Sequence, residues 1–164
     1  MKLKALAGAM LLSTCVFANE TPITGNVESK CVITTDTPGI YGNPSPNLLS
    51  TNAADGGIEP VIRFDVISAG YYKAAIATPV DFSISPSLSD TVTWQGAVSV
   101  GEVSDAQMSA YDSEMRLYNN VSEVDLTVPG SVWFKVESSA QYGYDKSVPA
   151  GNYNAVVTAE CIAQ

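Results

Sequence analysis

The sequence predicts an all-β fold arranged as a two-layer β-sandwich. Short segments alternate apolar and polar residues with period two, which is the pattern of strands that bury one face. Gly, Pro and Asn residues separate these segments, and only one stretch has a helical pattern. Seven or so short strands within one domain favour an immunoglobulin-like arrangement.

The predicted strands follow one another with turn residues between them. The first segment, "ITGNVESKCVIT" (residues 23–34), alternates, and residues 38–57 then form a long loop rich in Gly and Pro. In residues 91–100, "TVTWQGAVSV", Trp94 is in phase with the inward-facing valines, which predicts a core aromatic rather than a sugar-stacking one. The remaining predicted strands are residues 58–67, 71–77, 80–84, 115–118, 121–128, 131–137 and 153–163.

One segment departs from period two. Ser104 and Gln107 have the S-x-x-Q spacing of a capping box, and "SDAQMSAYDSEM" contains them, so the sequence predicts a short helix near residues 105–112. An extended loop is the alternative, because the S-x-x-Q pattern is permissive.

The amino-terminal residues are typical of a secretory signal peptide. Lys2 and Lys4 precede an apolar run at residues 6–17, and Val16-Phe17-Ala18 provides a small-x-small cleavage site. We therefore expect residues 1–18 to be removed and the mature chain to begin at Asn19. A lipoprotein anchored through Cys15 is the alternative interpretation.

The mature chain would be strongly acidic. Loss of Lys2 and Lys4 from the eight basic residues leaves six against 17 acidic ones, a formal charge of −11. Such a surface repels phosphate backbones, which argues against nucleic-acid binding. A solvated acidic exterior that keeps an exported protein soluble explains this charge.

Two cysteines remain after the predicted cleavage, Cys31 and Cys161, one near each end of the domain. An even pair in an exported chain predicts a disulfide. A metal or redox pair is disfavoured, because the sequence contains no His and no C-x-x-C motif.

Few residues offer catalytic chemistry. Without His there is no His-based triad or general base, and the sequence has no phosphate-binding Gly-rich loop, so we expect neither an enzyme nor a cofactor. Asp105, Asp112 and Glu114 could form a carboxylate pair of the glycosidase type, but solvated acids around a capped helix explain them far better. Arg63 is expected to pair with Asp65 or Glu59 on the outer face of a strand.

Three segments resemble the pilins assembled by the chaperone–usher pathway. "ITGNVESKCVIT" is similar to a donor segment followed by a first strand, and "VPAGNYNAVVTAECIAQ" resembles the P-x-G-x-Y closing strand of such pilins. "VTWQGAVSV" and the stretch after it look like a segment of the α-type subunits of colonisation-factor fimbriae. The likeness covers about half of the mature chain.

The resemblance implies an immunoglobulin-like sandwich that lacks one strand and receives it from outside. Residues 19–30 would be the amino-terminal extension and residues 31–164 the pilin domain, with Ile23, Gly25 and Val27 as the donated side chains. The groove edge and chaperone contact would be Tyr153, Ala155, Val157 and Ala159. The implied partners are copies of the chain or other pilins, a periplasmic chaperone, an outer-membrane usher and a host or surface receptor, with the product a cell-surface fimbrium that serves adhesion or biofilm formation.

The cysteine pair departs from the family pattern, because many classical pilins place their pair near the first two strands. A Cys31–Cys161 bridge joins the first strand to the last, between which the groove normally lies. Either these strands converge at one end of the groove or the domain is complete and has none. The alternative function is a self-complete secreted β-sandwich that binds a carbohydrate or a surface protein through loops such as residues 38–57.

Overall fold

The computed structural model describes residues 30–68, 70, 72–144 and 146–164. These residues form two antiparallel sheets, which confirms the all-β prediction. The first sheet contains β1 (Cys31–Thr37), β2 (Gly42–Ser45), β3 (Leu48–Ser50), β4 (Val61–Val66), β6 (Val92–Val103) and β9 (Gly130–Tyr142). The second sheet contains β5 (Tyr72–Ala77), β7 (Arg116–Tyr118), β8 (Val121–Leu126) and β10 (Thr158–Ala163).

Strand β9 organises the first sheet. One edge of β9 pairs with β4 and then with β3, while its other edge pairs with β6 over eleven positions. Beyond them, β1 pairs with β4 and β2 pairs with β3. The order in the second sheet is β10-β5-β8-β7. Within the described residues, β1 and β10 are therefore edge strands, one in each sheet.

The core lies between the two sheets. Phe64 of β4 and Phe134 of β9 meet edge-to-face with ring centroids 5.5 Å apart, and Ile76 and Leu126 cover them from the second sheet. Alternation along β4 and β9 puts every second side chain into this layer, as period two requires. The buried residues of this cluster are Ile62, Phe64, Val66, Ala74, Ile76, Met108, Tyr111, Val124, Leu126, Val132, Phe134 and Val136.

The predicted helix is present in a different form. Residues Ala106–Ala110 form a 3-10 helix that continues into a one-turn α-helix, α1, at Tyr111–Glu114. The capping prediction was wrong in detail: the side chain of Asp105, not Ser104, accepts the hydrogen bond from Gln107 N. Ser104 Oγ instead accepts a hydrogen bond from Ser131 N at 2.7 Å. The Ser104 side chain thus bonds to the sheet, and the side chain of Asp105 caps the helix.

Two sequence assignments need correction. Residues 38–57, predicted to be a loop, contain β2, β3 and a 3-10 helix at Ala53–Asp55. Residues 80–84, predicted to be a strand, make only an isolated bridge from Ile84 to Asn154. In the described part of the chain, no helix is long and apolar enough to cross a membrane.

Candidate functional site

A cavity of about 770 Å³ opens along the side of the molecule where the edge strands β1 and β10 approach each other. One wall is the carboxy-terminal segment 151–157, which leads into β10. The opposite wall is Thr35 of β1 and residues 38–41, and the floor is formed by the first sheet. We call this cavity the groove; its floor residues include Leu49, Thr51, Ile62 and Ser138.

The carboxy-terminal wall presents alternate side chains to the groove. Tyr153, Ala155 and Val157 line it and are half-buried, whereas Val156 between them is 62% exposed. Inward-facing side chains of the central strand β9, such as Phe134, are completely buried. Among the described residues, no further strand covers the inward set of this wall.

The backbone of the same wall is also incompletely paired. β10 begins its ladder with β5 at Thr158, so the sequence prediction of one strand over residues 153–163 was too long. Before Thr158, the amides of Ala155, Val156 and Val157 make no hydrogen bond to any described residue. Unpaired donors in an extended segment at a sheet edge are the groups that a further strand would satisfy.

One end of the groove is closed by a disulfide between Cys31 of β1 and Cys161 of β10, which confirms the predicted pairing. The two Cα atoms are 6.3 Å apart. A strand lying between two others needs about two strand spacings, roughly 9.5 Å, so none fits between β1 and β10 at this point. Within the described residues, the two strands thus converge at the bridge, and the cavity lies beyond it. We call the two ends the bridged end and the open end.

The floor of the groove carries hydroxyl groups that already have partners. Tyr41 Oη and Ser138 Oγ are 3.0 Å apart, and Thr51 Oγ1 accepts from Ser138 N at 2.8 Å. Burial raises the pKa of Tyr41, and its hydrogen bond to Ser138 only partly offsets this effect. The floor is therefore neutral over the physiological range, with Leu49 and Ile62 beside the hydroxyls. Such a surface suits small apolar or uncharged side chains rather than a charged ligand.

An aromatic cluster borders the open end. Phe82 packs against Trp94 at 4.6 Å between ring centroids, against Tyr153 at 5.0 Å and, more distantly, against Tyr41 at 6.4 Å. The hydroxyl of Tyr153 donates to Pro149 O at 2.7 Å, and burial raises the pKa of Tyr153. Trp94 thus has aromatic packing of the kind predicted for it, although its side chain is only half-buried. Phe82 and Tyr41 were not predicted to border a site, because Phe82 belongs to a segment expected to be a strand and Tyr41 to one expected to be a loop.

The acidic residues near α1 have structural roles. Asp105 caps the 3-10 helix, and Asp112 Oδ1 accepts from Val100 N at 2.6 Å, tying α1 to β6. Arg63 pairs with Asp65 at 3.0 Å, one of the partners expected for it, and lies 5.8 Å from the ring centroid of Trp133. Within the described residues, no group of three or more His, Cys, Asp or Glu side chains could hold a metal ion.

The predicted groove-edge residues lie on one segment, and three of the four line the groove. Tyr153, Ala155 and Val157 face it, while Ala159 lies between them and the bridge, packed against the core. The predicted donor residues Ile23, Gly25 and Val27 lie outside the described residues. Comparison with known proteins gives no match to a family profile, a curated protein or a solved structure. The disulfide indicates an oxidising, extracytoplasmic environment.

Proposed function

We propose that this chain is a structural subunit of a fimbria or fimbria-like surface fibre, polymerised by donation of an amino-terminal strand from one copy into the groove of another. The domain would then be an immunoglobulin-like sandwich that lacks one strand. The observation that carries the proposal is the wall at residues 151–157, where half-buried alternate side chains coincide with amides at residues 155–157 that have no partner among the described residues. β-strand addition uses this combination, with backbone hydrogen bonds for affinity and side-chain pockets for specificity.

The point at which the chain enters the domain favours donation to a neighbour. Lys30 O accepts a hydrogen bond from Ile67 N at 3.0 Å, so the β1–β4 ladder extends back through Lys30 at the bridged end. β1 then runs from Cys31 towards the open end. A segment attached before Lys30 would have to reverse its direction to enter the groove of its own domain, whereas a second copy's groove requires no reversal.

The donated segment would contribute moderate affinity. Ile23 and Val27 each stabilise by about 1.5–3 kcal/mol if they become fully buried, and each backbone hydrogen bond adds about 0.5–1.5 kcal/mol. Gly25 adds almost no apolar area. Before assembly, the same wall would bind a strand of the periplasmic chaperone, and an outer-membrane usher would then mediate exchange for the donor segment.

The first experiment examines subunits purified from the periplasm by electrophoresis in SDS. Strand-exchanged polymers should run as a ladder when unboiled and collapse to monomer after heating. The double variant Ile23→Asp/Val27→Asp should abolish the ladder, because the two charges would enter an apolar groove. Thr24→Asp, in the same segment but on the opposite face of the alternation, is the matched control and should retain it.

The reciprocal experiment changes the groove. Ala155→Asp should abolish the ladder, whereas Val156→Asp, at a position that borders the groove but is 62% exposed, should retain it. Co-expression of the Ile23→Asp/Val27→Asp chain with the Ala155→Asp chain should give a heterodimer and nothing larger, because only one donor segment and one groove are functional. A heat-independent monomer from the unsubstituted chain would contradict the proposal and favour a self-complete secreted sandwich that binds through its loops.

A further inference from the structure

The bridged end of the groove has a consequence for the strand that the groove accepts. At Cys31 and Cys161 the two edge strands lie 6.3 Å apart, well below the roughly 9.5 Å that an intervening strand needs. Ile33 and Ala159, the next inward-facing residues from the bridge, pack against the core, and the groove lining begins only at Thr35 and Val157. The available wall therefore ends abruptly, two inward positions before each edge strand reaches its cysteine.

We infer that the Cys31–Cys161 disulfide is a stop that fixes how far, and in which register, the donated strand of a second copy lies in the groove. This inference rests on the proposed function. A strand can slide towards the bridge only until its leading residues meet the point where β1 and β10 close together. Beyond that point, the gap between β1 and β10 is too narrow for a strand, and no groove lining remains.

The length of the donor segment matches this groove. The wall at residues 151–157 comprises seven residues, which span about 23 Å in extended conformation. The segment from the predicted cleavage site to Lys30, residues 19–29, comprises eleven. Residues 21–27, which include Ile23 and Val27, match the wall in number; residues 28–29 then lead to the next domain, and residues 19–20 lie at the leading end, where β1 and β10 close together. Since that domain must lie outside the open end, the amino terminus of the segment points towards the bridge.

The donor segment needs such a stop because its own side chains specify register weakly. Ile23 and Val27 are its only large apolar residues in the inward phase, and Gly25 lies between them. Strands with little apolar patterning and with Gly are prone to slip along their partner. A covalent end to the groove removes the deeper registers without requiring larger side chains in the donor.

The test compares two acceptors and three peptides. Both acceptors are the mature chain with Ile23→Asp/Val27→Asp, which cannot donate its own segment; one keeps the disulfide and the other also carries Cys31→Ala/Cys161→Ala. The peptides are residues 19–29 with a carboxy-terminal fluorophore, the same peptide with Val-Thr-Val-Thr added before Asn19, which places both valines in the inward phase, and a control with Thr-Val-Thr-Val added after Ser29. Dissociation rates are measured by fluorescence anisotropy after dilution into unlabelled peptide.

On the bridged acceptor, the amino-terminally lengthened peptide should dissociate at the same rate as the original within about twofold. On the bridge-free acceptor it should dissociate at least about tenfold more slowly, the factor expected when one further valine is buried. The carboxy-terminally lengthened control should behave alike on both acceptors. If amino-terminal lengthening changed the dissociation rate by the same factor on both acceptors, the inference that the disulfide stops the donated strand would be overturned. If residues 19–29 bind neither acceptor, the proposed function fails and the inference with it.

Hydrogen exchange of the bridged acceptor gives a second test that does not require the bridge-free variant to fold. Binding of either the original or the amino-terminally lengthened peptide should protect amides in residues 155–157 and add no protection in residues 160–163. Protection that spreads through residues 160–163 with the longer peptide would show that a strand passes the bridge, and would overturn the inference.

Discussion

Removal of the disulfide should cost this domain a large part of its stability. Cys31 and Cys161 are 130 residues apart in sequence, so the bridge constrains almost the whole unfolded domain. The chain-entropy relation for a loop of this length gives about −17 cal/mol/K, or about 5 kcal/mol at 25 °C. The total free energy of unfolding of a domain is about 5–15 kcal/mol, so the loss approaches the lower end of that range.

The assay is equilibrium unfolding by urea, monitored by tryptophan fluorescence, of the mature Ile23→Asp/Val27→Asp chain, whose defective donor segment keeps it from polymerising. The Cys31→Ala/Cys161→Ala form should show a much lower midpoint and a free energy of unfolding about 5 kcal/mol smaller. The disulfide form treated with a reducing agent is the matched control and should lose a similar amount, because it contains no substitution. A loss below about 2 kcal/mol by both routes would refute the reasoning that the bridge acts mainly by restricting the unfolded chain.

Three further predictions concern the packing that holds the groove in place. Gly96→Ala should destabilise the domain by about 1–3 kcal/mol in urea unfolding, because the added Cβ would lie 2.5 Å from Thr78 Cβ. Gly101→Ala, on the same strand, is the control and should cost less, because its Cβ would meet only the flexible side chain of Lys135. An equal loss of stability in the two variants would contradict the steric explanation. Tyr111→Phe should lower the free energy of unfolding by about 1–3 kcal/mol in the same assay, because Val128 N donates to the Tyr111 hydroxyl at 3.0 Å and would lose this acceptor. An unchanged urea midpoint would contradict this expectation and show that water accepts the hydrogen bond instead. The raised pKa of Tyr41 favours the neutral phenol in the folded domain, so its contribution is complete below pH 10.0 and stability should fall as pH rises from there through the folded pKa. Urea unfolding at several pH values should show a smaller alkaline loss for Tyr41→Phe, and an undiminished loss would contradict this assignment.

The strands of the central layers could be predicted from the sequence because their side chains obey period two. The segments assigned to residues 58–67 and 121–128 contain β4 and β8, with boundaries moved by at most three residues. In both strands the alternating residues are buried between the sheets, so one-dimensional patterning is enough to identify them. The Cys31–Cys161 pairing was also predictable, since two cysteines in an exported chain allow one intramolecular pair.

The edges of the sheets were harder to predict, for a physical reason. Residues 153–163 alternate throughout, yet only Thr158–Ala163 pair with β5, because β5 ends at Ala77; the earlier part makes only an isolated bridge from Asn154 to Ile84. Conversely, Leu48–Ser50 has no clear period and becomes β3 because β9 is long enough to offer residues 139–141 as partners. The helix cap at Asp105 also depends on a tertiary contact, because Ser104 Oγ accepts a hydrogen bond from Ser131 N of β9 and is not available as the cap.

The sequence by itself determined that this chain is all-β, that its two cysteines pair, and that its inward-facing residues recur in alternation. These properties depend on composition and local alternation, which do not depend on how distant segments pack together. Only the tertiary structure decided that the alternating segment 151–157 lies beside a groove and that the disulfide closes one end of it. The same residues would be ordinary core positions if another strand covered them. A cavity between two edge strands depends on how distant segments of the chain pack together, and local alternation does not specify that packing.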